Sequence, residues 1–207
     1  MKKRIPIVVT ILGIFLLWGC YPQGPDYIEE MDVVITNHQD TYDFVSKATY
    51  AMPDRIVKIT GDVTEGQDPQ FIPDVTAQKI LAQIVTNMTA LGWQRVDISA
   101  NPDLLLAPAA WETTTIYYYY DYWYWWYGGY YPYYPGWGYP PTTYYSSYTT
   151  GTLIMSLIDQ TVVAGDGTPI IQWTGAINGI LTGSYDATRM NKSINKAFEQ
   201  SPYLKTN

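Results

Sequence analysis

A single histidine and a single cysteine are the whole supply of imidazole and thiol in a chain of 207 residues. His38 falls in a predicted loop with no Ser or Cys at a recognisable motif spacing, which reads as a solvated residue and not as a catalytic base. No GxSxG, HExxH, GxGxxG or phosphate-loop pattern occurs, so the sequence nominates no catalytic residue and no cofactor. The acids Asp26, Glu29, Glu30 and Asp32 read as a solvated charge run. Asp166-Gly167 lacks the alternating acids and closing Glu of a calcium loop, so no metal site is expected either. The chemistry that remains is that of the cysteine itself and of an unusual stock of aromatic rings.

Cys20 is placed where a lipid could take it. Lys2, Lys3 and Arg4 precede an apolar run over residues 5–17, and the following Tyr21-Pro22-Gln23-Gly24-Pro25 is polar and helix-breaking. A spanning helix needs about 20 apolar residues, so the run reads as a signal peptide over residues 1–19. Leu17-Trp18-Gly19-Cys20 resembles the lipobox of bacterial lipoproteins, which implies cleavage before Cys20 and acylation, with palmitate or its like, of the new first residue. A lone thiol in an oxidising compartment has no disulfide partner, and lipid would cap it. One acyl chain holds a protein to a membrane only marginally, whereas the two or three that the resemblance implies hold it firmly. Cleavage leaves nine basic against nineteen acidic residues, a formal charge of −10. That balance excludes a nucleic-acid partner and makes lipid, not a basic patch, the source of attachment. Residues 20–30 then read as the lipidated Cys and a tether.

The aromatic excess sits in one place. Of 21 Tyr and 8 Trp, the 32 residues 117–148 hold 15 and 4, with Asp121 as their only charge and no aliphatic side chain. A core segment would not be built this way, since cores favour residues without a polar atom to satisfy. The β-prone flanks and a Gly/Pro-rich centre predict a hairpin-like insertion with an irregular tip. Three readings stand open: a functionally neutral low-complexity insertion, a recognition surface for glycan, peptidoglycan or an envelope protein, and a contact at the membrane interface. Under the second, Tyr122, Trp123, Tyr124, Trp125, Trp126 and Trp137 are the candidate binding residues.

The elements carrying these features are predicted from periodicity. Strands are expected over 31–36, 55–60, 93–98, 104–115 with an interruption near Pro108, 151–160 and 170–181. Tyr42, Phe44, Tyr50 and Met52 are expected to pack a turn onto the core. In the last strand Ile171, Trp173, Ile177 and Leu181 share one face while Gln172, Thr174 and Asn178 share the other. Asp166-Gly167 is a hairpin-turn signal before it. One helix is expected from an Asp74 N-cap to Gly92, on the stripe Ala77, Ile80, Leu81, Ile84, Val85, Met88 and Leu91. A second follows an Asp186 N-cap, on Met190, Ile194, Ala197 and Phe198, and stops at Pro202. The order implies one α+β domain over 31–203, a two-layer sandwich with two helices on one face of a mostly antiparallel sheet.

Several of these segments resemble the bacterial lipoprotein family known as domain of unknown function 4136. The carrying residues are Asp32-Val33-Val34-Ile35-Thr36, Tyr42-Asp43-Phe44 through Ala48-Thr49-Tyr50-Ala51, Pro102-Asp103-Leu104-Leu105-Leu106, Gly151-Thr152-Leu153-Ile154, Leu157-Ile158-Asp159, Trp173-Thr174-Gly175, and the closing helix with Phe198 and Pro202. The resemblance implies an α+β envelope lipoprotein and brings no catalytic residues; residues 117–148 depart from its pattern. The expected protein is non-enzymatic, lipid-anchored in the cell envelope, with the outer membrane as the expected address, and binds or assembles through its aromatic surface. The rival is a hydrolase acting on an envelope glycan or peptidoglycan, because carboxylate pairs meet only in space. Cys20→Ala should move the protein from the membrane to the soluble fraction on fractionation; retention would overturn attachment through this cysteine.

Overall fold

The computed structural model describes residues 33–59, 70–111, 151–165, 169–182 and 186–207. The chain divides into two units, Met1–Met31 and Asp32–Asn207, and the described residues all belong to the second. Cys20, the tether, residues 117–148 and the Asp166-Gly167 turn lie outside them.

The described elements are β1 (Val34–His38), β2 (Thr49–Ala51), β3 (Val57–Ile59), β4 (Gln70–Phe71), α1 (Asp74–Ala90), β5 (Gln94–Arg95), β6 (Leu104–Trp111), β7 (Thr152–Val163), β8 (Pro169–Ile177) and α2 (Ala187–Glu199). They form an α+β fold, one open sheet of order β1-β8-β7-β6-β2-β5, with β3 also on β6 and β4 on β3. The long pairings, β6 with β7, β7 with β8 and β8 with β1, are antiparallel. The short β2 and β3 run parallel to β6.

Both helices bury the stripes their periodicity predicts. Ala77, Ile80, Leu81, Ile84 and Met88 of α1 and Met190, Ile194, Ala197 and Phe198 of α2 pack with Leu104, Leu106, Ala110, Leu153, Met155, Leu157, Trp173 and Ile177 of the sheet. Asp186 caps α2 as expected, its carboxylate accepting from the Thr188 and Arg189 N–H groups at 2.8 and 3.1 Å. Asp74 does not cap α1. Pro73 occupies the cap position, and Asp74, one residue inside, faces Arg55 at 3.3 Å, where an acid still favours the positive helix end.

Other expectations shift in the strands. β6 is unbroken through Pro108 because that residue stands in a gap on one edge: β2 pairs only as far as Leu105 and β3 begins at Ala109. The missing N–H therefore costs no ladder bond. The expected strand over 93–98 shortens to Gln94–Arg95, because Asp97 captures the Ser99 N–H and starts a 3-10 turn at Ile98–Ala100. Tyr50 and Ala51 belong to a strand, not to a turn, and are buried.

β8 keeps its period of two from Trp173 to Ile177, where it ends short of the expected Leu181, and it is an inner strand. Trp173 and Ile177 meet the helices while Ala176 joins Val57, Ile59, Ala109, Trp111 and Ile154 in a second cluster on the opposite face. Gln172, expected on a solvated face, is 1% exposed. It is the extra residue of a bulge between the Leu157↔Trp173 and Ile158↔Ile171 pairs, and its amide folds back onto the Ile170 carbonyl at 2.8 Å.

The chain from Ser201 onward closes the helix side of the core. Trp173 Nε1 donates to Ser201 Oγ at 2.8 Å, and Ser201 Oγ donates to the Ala197 carbonyl at 2.9 Å. Trp93 Nε1 donates to the Leu204 carbonyl at 2.7 Å, and the Thr206 N–H to the Leu91 carbonyl at 2.9 Å. Trp173 can lie this way because its neighbour on the same face is Gly175: a Cβ there would meet indole Cη2 at 2.7 Å, Cζ2 at 2.9 Å and Met155 Cε at 3.1 Å. Gly175→Ala should therefore cost about 1–3 kcal/mol by overpacking; an unchanged thermal midpoint would show that the indole moves aside freely.

Candidate functional site

The principal polar assembly inside the described domain lies at the end of the sheet where β7 runs past its pairing with β6. Asp159, on an otherwise apolar stretch of strand, is 1% exposed. A carboxylate so placed needs its lone pairs met by donors. Oδ2 accepts from the Tyr42 hydroxyl at 2.6 Å and Lys47 Nζ at 3.1 Å, while Oδ1 accepts from Thr161 N–H at 2.8 Å and Thr161 Oγ1 at 2.6 Å. The ammonium of Lys47 also stands 5.8 Å from the centroid of the Tyr42 ring.

A second carboxylate serves the same loop. Asp103 Oδ2 accepts from the Ala48 and Thr49 N–H groups at 3.0 and 2.9 Å and from Thr49 Oγ1 at 2.8 Å. The Asp103 N–H donates back to Thr49 Oγ1 at 3.0 Å. Residues 39–48 are thus held at three points: by the Gln39 N–H on the Gln172 carbonyl at 2.9 Å, by Asp159 and by Asp103.

Burial alone would raise the pKa of both acids, but the donors outweigh it. Hydrogen bonds from Thr161, Tyr42 and Lys47 hold Asp159 below the usual carboxylate value. Those from Ala48 and Thr49, with the charge of Lys47, do the same for Asp103. Burial, the hydrogen bond to Asp159 and the negative charges of Asp159, Asp103 and Asp43 all push the Tyr42 phenol well above its ordinary value. The resulting species at neutral pH are two carboxylates and a neutral phenol. Neither acid carries a proton to donate, and the four hydrogen bonds on Asp159 leave it poorly placed to accept one. The arrangement is suited to fixing a loop on a strand end.

His38 is the last residue of β1 and not a loop residue. Its ring stacks on Tyr203 with centroids 3.6 Å apart and planes 18° apart. Tyr203 in turn lies 6.0 Å from Phe44, which meets Tyr42 edge-on at 4.8 Å. Packing fixes this imidazole, beside which Asp40 stands 3.5 Å from Nε2. Among the described residues no group of three or more His, Cys, Asp or Glu is placed to hold a metal ion. No described helix is long and apolar enough to cross a membrane.

The residues nominated from sequence, Cys20, Tyr122, Trp123, Tyr124, Trp125, Trp126 and Trp137, all lie outside the described residues. The ends of the aromatic insertion are described. Trp111 pairs with Thr152 across the β6–β7 ladder, and the Gly151 N–H donates to the Trp111 carbonyl at 2.7 Å. Gly151 has φ +80°, and a Cβ there would collide with the Thr182 methyl, so the return point requires glycine. Conversely, sequence reasoning missed the Asp159 assembly. Its signal was present: Tyr42, Asp103 and Asp159 all lie in segments that carried the family resemblance, and Asp159 is the lone charged residue of β7.

The pattern of the family described as "Domain of unknown function (DUF4136)" matches residues 34–203. Among solved structures, the chain is similar to a DUF4136 family protein from Bacteroides thetaiotaomicron, with 29% identity and a TM-score of 0.61, covering 84% of this chain and 97% of that one. No curated protein matches the chain.

Because the folded-state pKa of Asp159 is depressed, its contribution to stability is complete above the unfolded value of about 3.9 and disappears as pH falls through the folded value. Asp159→Asn should cost about 2 kcal/mol at pH 7, and the gap to wild type in urea midpoints should close as the pH drops from about 5 toward 2. A gap independent of pH would mean that the charge of Asp159 contributes nothing.

Proposed function

We propose that this chain, which belongs to the DUF4136 family, is a lipid-anchored protein of the bacterial cell envelope that works as a non-enzymatic binding or assembly module, with the segment 117–148 as its contact surface. Attachment rests on Cys20 behind its signal-like leader, and the address is the outer membrane. The charge of −10 left after cleavage makes an anionic surface or nucleic acid an unsuitable partner. A neutral aromatic segment can supply contact area at low entropic cost, and its flat rings suit the faces of sugars or a protein surface in the envelope.

The observation that carries this reading is the closure at Trp111 and Gly151. Their 2.7 Å backbone hydrogen bond is the one a β-turn would make if only two residues stood between them. A whole insertion of 39 residues therefore enters and leaves the sheet at a single ladder step, and the domain has a complete β6–β7 pairing without it. Such an arrangement suits an added contact module on a self-sufficient support.

Replacing residues 112–150 by Asn-Gly, the two-residue hairpin turn, should preserve folding, with a thermal midpoint within a few degrees of the parent. The shortened chain should lose co-sedimentation with purified peptidoglycan and lose the crosslinks to envelope proteins that the full chain makes. Unchanged sedimentation and crosslinks in a folded shortened chain would sink the contact role of the segment.

A further inference from the structure

The strand order of the sheet begins at β1 and closes at β5, and these two edges are built differently. β5 is two residues long and carries Arg95, a short charged edge of the kind that resists further pairing. β1 is five residues long, Val34-Ile35-Thr36-Asn37-His38, with neither Lys, Arg, Asp, Glu nor Pro. Its bonds to β8 are bracketed by the Asn178 N–H on the Val33 carbonyl at 3.0 Å and the Gln39 N–H on the Gln172 carbonyl at 2.9 Å. Between them Ile35 pairs with Ala176 and Asn37 with Thr174 in the same phase. The alternation of an antiparallel ladder therefore turns the N–H and C=O groups of Val34, Thr36 and His38 toward the outer edge. Among the described residues no strand pairs with that edge.

A helix roofs the same edge. α2 packs on β1, β8 and α1. The flank of its buried stripe that faces α1 is marked by Asn195, whose Oδ1 accepts from Gln83 Nε2 at 2.7 Å and Asn87 Nδ2 at 2.8 Å. Arg189, Ser193 and Lys196, spaced i, i+4 and i+7, lie on the other flank, above β1. Lys192 is exposed beside them. Glu199 pairs with Lys196 at 3.7 Å, and Asp40 stands past the end of β1 beside His38. α2 thus brings three bases and one acid to its surface, in a chain whose acids outnumber its bases by 19 to 12. A strand added about 4.8 Å beyond β1 would run beneath this flank.

We propose that the outer edge of β1 and the basic flank of α2 form a docking groove for an extended, acidic segment of a partner protein. That segment adds a strand to the sheet and sets alternate carboxylates against Arg189, Lys192 and Lys196. Backbone bonds to Val34, Thr36 and His38 supply the affinity, and the carboxylates select the partner. Charge decides against a second copy of this chain. β1 paired with β1 of another copy would bring the two α2 helices within about 10 Å, two strand spacings, of each other. The bases of one flank would then face the bases of the other, and like charges so placed repel. The groove is independent of the lipid anchor and of residues 112–150.

The probe is a fluorescein-labelled peptide of about seven residues alternating Glu and Val, titrated against the full chain in a neutral detergent and followed by anisotropy. It should bind saturably, and about tenfold more tightly than the same peptide with Lys in place of Glu. N-methylation of one alternate set of its amides should abolish binding, and methylation of the other set, which faces solvent, should leave it unchanged. These arms use the unaltered protein. Thr36→Pro removes an outward N–H without breaking a bond to β8, and in a chain with an unchanged thermal midpoint it should weaken the peptide by about tenfold or more. Lys192→Glu with Lys196→Glu should reverse the preference between the two peptides. Absence of saturable binding, equal affinity for the Glu and Lys peptides, equal loss with both methylated sets, or full affinity in folded Thr36→Pro overturns the proposal. Self-association of the chain that Thr36→Pro abolishes overturns it as well, because the edge then belongs to a second copy.

Discussion

A strand with no solvent-facing side must find partners for every polar group within the protein, and β7 is under that constraint from Thr152 to Asp159, all of them buried. Its backbone is satisfied by β6 on one edge and β8 on the other, which fixes the register of the three longest strands together. Its terminal carboxylate cannot be satisfied by a sheet, because a ladder supplies backbone groups and not four convergent donors. Residues 39–48 answer that requirement with Tyr42 and Lys47, and the loop is then fastened again at Asp103. The need to neutralise one buried charge thus positions a ten-residue loop that has no regular structure of its own.

The same constraint separates the two ends of the domain. At one end, polar side chains from distant parts of the sequence converge and are mutually satisfied. At the other, backbone pairing closes cleanly between Trp111 and Gly151 and lets the chain depart for 39 residues. The match to DUF4136 over residues 34–203 and the 29% identity to a solved member establish the shared fold, and the segment between Trp111 and Gly151 is left to be explained by its own chemistry.

Much of the support was legible in the sequence because its periodicities are strong. The stripes of α1 and α2, the Asp186 cap and the alternation from Trp173 to Ile177 depend on side chains within a few residues of one another, and all appear where the spacing puts them. The differences arise where distant partners decide. Pro108 looked like a strand breaker, and only the gap between β2 and β3 makes it harmless. Tyr50 sits in a three-residue strand too short to show a period. Gln172 looked solvated because a bulge cannot be read from one strand alone. The Asp159 assembly joins residues 42, 47, 159 and 161, and no local pattern announces a bond between positions 117 apart in sequence. The aromatic segment was conspicuous in composition, yet composition names no geometry.

The hydrogen bonds at Leu204 and Thr206 bear on the timing of synthesis. Trp93 and Leu91, near the middle of the chain, complete their bonding only with these late residues, and the Trp173 indole waits for Ser201. A ribosome releases the chain from its N-terminus, so the helix side of this core lacks its last wall until residues 201–206 have emerged. The chain up to residue 200 thereby cannot finish its fold, because the Trp93 and Trp173 indoles still lack these acceptors.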